Sequence, residues 1–148
     1  MALATGVYGK FILALGTGTP NFALNASDVV KIALVNDTET PDFDVDDDIT
    51  DIGANQITGT GWAAAQNLAS PTFTHDTTNN LCKLDGTDVN ASTTTLTGIR
   101  GVGIYDDTVT TPTADPLICA INFGATYNTS SGTLAITWHA NGLMYISY

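Results

Sequence analysis

Few residues in this chain could carry chemistry, and they are scattered. The sequence holds two histidines, His75 and His139, and two cysteines, Cys82 and Cys119. A hydrolytic triad needs a nucleophile held by a histidine that an acid orients. His75 follows Thr72-Phe73-Thr74 and His139 lies in the last apolar segment, and neither stands beside a Gly-x-Ser-x-Gly elbow. A zinc site wants three or four ligands brought together, whereas the Cys and His residues occur singly, without a Cys-x-x-Cys pair. Gly59-Thr60-Gly61 lacks the lysine and the further glycines of a phosphate-cradling loop. The chain is therefore not expected to be an enzyme, and no cofactor is expected.

The densest chemical feature is acidic. The segment from Asp37 to Asp51 holds eight of the fifteen acids. Within it Asp42, Asp44 and Asp46 have the alternate spacing that opens an EF-hand calcium loop. The loop's obligatory glycine position is Asp47, however, and its bidentate glutamate position is Gly53. The EF-hand match fails, which leaves two alternatives: a calcium site of another build using Asp42, Asp44 and Asp46, or a solvated acidic loop.

Charge limits the partners. The net charge is −11, with charged residues only 13% of the chain. Such a surface repels phosphate, so neither nucleic acid nor an anionic membrane is an expected partner. No apolar run approaches the ~20 residues of a membrane span. Lys10 precedes the apolar run Phe11 to Leu15, which is shorter than the roughly 7–15 residues of a secretory core. Synthesis in the cytoplasm as a soluble chain is expected, with Cys82 and Cys119 as buried free thiols rather than a disulfide.

The elements that must position these residues read as strands. Glu and Lys, common on exposed helix faces, total only four, while Thr, Val, Ile and aromatic residues abound. Val30, Ile32 and Leu34 line one face of a strand near 28–35. Phe73 and Leu81 to Leu84 make a hairpin around Asn79-Asn80. Gly98 to Tyr105 is a strand whose Gly101 and Gly103 admit a bulge or close approach of another layer. Leu117, Cys119, Ile121 and Phe123 alternate in another strand, with Ser131-Gly132 as a turn after it. Thr133 to His139 and Leu143 to Ile146 then flank Asn141-Gly142, the signature of a two-residue hairpin, with Trp138 opposite Tyr145 on the core face. Tyr8, Phe11, Ile12 and Leu15 have helical spacing instead. The expected fold is all-β: one antiparallel β-sandwich or barrel-like domain of seven to nine strands over residues 1–148. Residues 1–15 would form an N-terminal arm or short helix.

Several segments, in order from residue 7 to 148, resemble a family of small virion proteins of tailed phages. They are Tyr8-Gly9-Lys10-Phe11-Ile12-Leu13, Val30 to Val35, Ile57-Thr58-Gly59-Thr60-Gly61-Trp62, Leu68-Ala69-Ser70, Gly103-Ile104-Tyr105-Asp106, Pro116 to Gly124 and Ser131 to Trp138. Trp62 stands where the family pattern has Tyr, and Ala64-Ala65 near an expected Gly-Gly. The resemblance implies a non-enzymatic building block: a capsid decoration protein on the outer head surface, binding the major capsid protein as a homo-trimer. The alternative is a tail or tail-tip component, including a glycan-binding adhesin that would stack sugars on Trp62, Tyr8 or Tyr148.

For attachment, two alternatives are open at the N-terminus. Tyr8, Phe11 and Ile12 fill a groove on a partner with Lys10 on an acidic rim, or residues 8–15 pack on their own sandwich. The strand lysines and arginine, Lys31, Lys83 and Arg100, either discourage sheet pairing from solvent faces or meet a partner's acids.

Overall fold

A computed structural model describes residues 3–22, 24 and 27–148. Eight strands form two antiparallel sheets, as the composition predicts. They are β1 (Gly6–Val7), β2 (Val30–Val35), β3 (Gln66–Asn67), β4 (Thr72–Asp76), β5 (Leu81–Asp85), β6 (Val89–Asp106), β7 (Leu117–Ile136) and β8 (Met144–Ser147). The larger sheet has the order β1-β7-β6-β2-β3 and the smaller β4-β5-β8. Two short helices accompany them, α1 (Gly9–Thr17) and α2 (Ile49–Ile52). No helix among the described residues is long and apolar enough to cross a membrane.

Strand β2 shows why the larger sheet has two apolar faces. Val30, Ile32 and Leu34 join one buried cluster, which extends through Ile104 and Leu84 to Met144. Ala33 and Val35 join a second, with Tyr8, Ile52 and Tyr105. The smaller sheet contributes to the first cluster, and the acidic segment with α2 covers the second. A strand buried on both faces reads as a near-continuous apolar run, and Val-Lys-Ile-Ala-Leu-Val is one but for Lys31, which is half-buried and paired with Asp107. The close approach expected at Gly101 and Gly103 is present. A Cβ at Gly103 would lie 2.4 Å from Ile52 Cδ1, and one at Gly101 would lie 2.1 Å from the Ile121 carbonyl oxygen.

The structure corrects three expectations about the C-terminal half. First, Ser131-Gly132 is no turn: the runs 117–123 and 133–136 belong to one bent strand, β7. Bulges absorb the turn chemistry, with Ser131 at φ 48° and Gly124 at φ 79°. Between the pairs Ile99–Tyr127 and Gly101–Asn122, five steps along β7 face two along β6, which bends the ribbon. Second, Leu117 does not share a face with Cys119. Cys119 pairs Ile104 and Leu117 pairs Tyr105, so a bulge turns Leu117 into the other cluster.

Third, Asn141-Gly142 turns the chain without making the expected hairpin. The Gly142 amide donates to the His139 carbonyl at 2.7 Å. Beyond it β8 pairs with β5, Leu84 opposite Met144 and Lys83 opposite Tyr145, while the 133–136 stretch stays in the larger sheet. Tyr145 is therefore exposed, not in the core, and Trp138 is half-buried with Nε1 donating to the Thr87 carbonyl at 3.0 Å.

Candidate functional site

The residues singled out from the sequence do not converge. Tyr8 and Phe11 are fully buried in their own domain, Tyr8 against Phe43 at a ring-centroid distance of 5.1 Å and Phe11 against Phe22 at 4.9 Å. This corrects the partner-groove alternative: α1 packs on its own sandwich, because the helical spacing of Tyr8, Phe11 and Leu15 turns two of three side chains inward. Ile12 remains exposed, and Lys10 meets the chain's own acidic segment, with Nζ 3.8 Å from Asp47. Lys31 and Lys83 are likewise used internally, paired with Asp107 at 2.8 Å and Asp85 at 3.3 Å.

The acidic segment holds itself by hydrogen bonds from its own backbone. Asp42 Oδ1 accepts from the Asp44 amide and Asp46 Oδ2 from the Asp42 amide. Asp48 caps α2, with Oδ1 accepting from the Thr50 amide at 2.7 Å, and Asp51 reaches back to the Asp48 amide. Among the described residues, the three acids whose oxygens cluster within 4.8 Å are Asp47, Asp48 and Asp51, not Asp42, Asp44 and Asp46. The oxygens of Asp48 and Asp51 already serve the α2 cap and the Asp47 amide, and the Asp47 carboxylate faces Lys10. Burial pushes the carboxyls of Glu39 and Asp46 above the ordinary range, against the opposing hydrogen bond that Asn55 donates to Glu39 at 2.8 Å.

The histidines lie apart. His75 on β4 contacts the hydroxyl of Tyr148, which follows β8 on the opposite side of the small sheet, and His139 Nδ1 accepts from the Asn141 amide at 3.1 Å. Cys119 is buried and its thiol is pushed up to about 12 by desolvation, whereas Cys82 is half-buried; both are free thiols. Trp62, offered above for sugar stacking, is buried and fixes the 57–62 turn against β6, where Thr60 accepts from the Thr95 amide at 3.0 Å.

The built feature is one the sequence did not advertise: a groove of about 770 Å³ between the edges of the two sheets. Ile121, Leu134 and Ile136 of β7 face Leu143 and Met144 across it, and Tyr127 and Tyr145 stand on its rim, each 50% exposed. The bend in β7 makes this possible, since residues near both ends of the strand line one concavity. Among the described residues, no strand pairs with the outer edge of β7 from Ile121 to Ile136, nor with that of β8. Thr and Asn side chains replace backbone pairing where the bulges interrupt the ribbon. Thr129 Oγ1 accepts from the Leu96 amide at 3.1 Å and Asn128 Oδ1 from the Gly98 amide at 2.7 Å. That explains the ribbon's Thr- and Asn-rich composition. Charge is also absent: residues 117–148 contain no Asp, Glu, Lys or Arg. The only signal for the groove in the sequence was that long uncharged stretch.

No protein-family model, characterised protein or solved structure matches the chain.

Proposed function

We propose that this chain is a non-enzymatic structural protein of a tailed-phage virion. It would decorate the outer head surface as a homo-trimer and stabilise contacts between major-capsid subunits. The ordered series of segments from Tyr8 to Trp138 that resembles small virion proteins supports the family. The observation that carries an attachment role is the uncharged, open-edged groove beside β7. It offers apolar area and free backbone rather than a cluster of catalytic groups. An otherwise acidic protein would attach where its charge is lowest, by spreading weak contacts over many copies. Mixing the purified chain with undecorated heads tests the reading. Saturable binding to heads is expected, and no binding at any salt concentration would reject it.

A second reading has its own observation. Tyr127, Tyr145 and Tyr148 are at least half exposed, and exposed aromatic faces suit sugar stacking. A glycan-binding tail component is the corresponding alternative. A glycan array separates the two, since the decoration reading expects no bound sugar.

A further inference from the structure

We propose that Asp28 and Asp106 form a site for a divalent, oxygen-seeking cation where the chain enters β2 beside the end of β6.

Strand register brings the two acids together. Val30 of β2 stands opposite Asp106 of β6. Two more bonds carry the pairing outward: the Asp107 amide donates to the Val29 carbonyl at 2.9 Å, and the Val29 amide to Thr108 Oγ1 at 2.6 Å. Asp28 is thereby held beside Asp106, with the two carboxylates within hydrogen-bond reach of each other. Backbone amides aim both groups. Asp28 Oδ2 accepts from the Leu24 amide at 2.6 Å and Asp106 Oδ1 from the Thr108 amide at 2.9 Å. Two ionised carboxylates are acceptors only and cannot satisfy each other. Asp106 is fully buried, and its Oδ2 has no hydrogen-bond partner among the described residues. A buried carboxylate oxygen in that position calls for a positive partner.

The surrounding side chains do not supply one. The nearby ammonium, Lys31, is committed to Asp107 at 2.8 Å, and Asp115 adjoins Asp107 as well. Asp28, Asp106, Asp107 and Asp115 thus gather around a single lysine. One shared proton would leave a full negative charge on the Asp28–Asp106 pair, whereas a divalent ion neutralises both carboxylates at once. Carboxylate ligands suit calcium or magnesium rather than a metal that prefers sulfur or imidazole. The Asp47, Asp48 and Asp51 cluster is different in kind, because backbone amides and Lys10 already meet its carboxylates.

Thermal unfolding of the full chain at about pH 7.5 in EDTA, in calcium and in magnesium tests this. At least one of the two ions is expected to raise the melting temperature by roughly 5–10 °C when present at about 100 times its dissociation constant. Asp106→Asn keeps an acceptor for the Thr108 amide and should weaken binding about 100-fold by isothermal titration calorimetry. Asp28→Asn repeats the test if that variant melts early. The Asp47→Asn/Asp51→Asn variant should bind as the wild type does. In EDTA only a proton can fill the place, so the ion's advantage should shrink towards about pH 5. No stabilisation by either ion overturns the proposal and leaves a shared proton as the occupant. Binding that survives Asp106→Asn and Asp28→Asn but is lost in Asp47→Asn/Asp51→Asn assigns the ion to the acidic segment and overturns it too.

Discussion

Gly142 lies directly against the Leu84 carbonyl: a Cβ at position 142 would stand 2.2 Å from that oxygen, and the residue has φ 82°. The neighbouring Leu143 amide donates to the same oxygen at 2.9 Å. This contact fixes where the chain leaves the larger sheet and enters the smaller one. Gly142→Ala adds both a clash and backbone strain, which together cost about 3 kcal/mol. Thermal unfolding should show a melting temperature lower by roughly 5–10 °C. An unchanged melting temperature would mean the crossing is not packed this way.

The same residue shows how much the sequence reveals. Asn141-Gly142 signals a turn, and the turn is present, but local chemistry does not say which strand follows it home. β8 pairs with β5, some sixty residues earlier, because Met144 completes the apolar layer around Leu84. Alternation locates β2 and the β4–β5 hairpin, and the i, i+3, i+4, i+7 spacing locates α1, since each is decided by its own period. Strand β7 reads as two strands in the sequence because Ser131-Gly132 has the chemistry of a turn, yet it forms a bulge. The groove was illegible for a related reason. It depends on the bend in β7 and on which edges are left unpaired, and neither is a local property of the chain.

Burial of Tyr8 makes the N-terminal segment part of the fold. Its ring is fully buried, and its hydroxyl has no hydrogen-bond partner among the described residues. Tyr8→Ala should cost about 3–5 kcal/mol, as for other large aromatic truncations. Tyr8→Phe should be neutral or slightly stabilising, because it removes an unpaired buried polar group. Deleting residues 1–9 should lower the melting temperature markedly, since β1 and its pairing with β7 go with it. Urea unfolding of the three variants checks the order.

Stability should rise as the solution is acidified from neutral. Asp106 is fully buried beside Asp28, and burial first, then that neighbouring carboxylate, raises its pKa; burial also raises Glu39, Asp46 and Asp115. A carboxyl whose pKa is higher folded than unfolded binds its proton more tightly in the native state. Its favourable contribution is complete below the unfolded value, about 4, and is lost as pH rises through the folded one. Asp76, lowered by its bonds from Asn79 and Thr78, acts in the opposite sense, but it lies at the surface of a hairpin turn where solvent screens its charge. The melting temperature is therefore expected to be higher at about pH 5 than at pH 8. Asp106→Asn should flatten that dependence while keeping the acceptor for the Thr108 amide. A wild-type melting temperature that falls steadily on acidification would contradict this assignment.

The two thiols should be distinguishable. Cys119 is buried, with its thiol pushed up to about 12, and Cys82 is half-buried on β5. Reaction requires the exposed thiolate. Titration of the native protein with a thiol reagent should modify Cys82 alone, and both cysteines in urea. Equal rates in the native protein would show that the β7 core opens readily.

The most direct measurement is an electron-microscopy reconstruction of purified particles carrying this chain. If the chain decorates heads as proposed, its density is expected on the outer head surface, in many symmetry-related copies around local three-fold positions, each touching major-capsid subunits. Density confined to the tail, with none on the head, would contradict it.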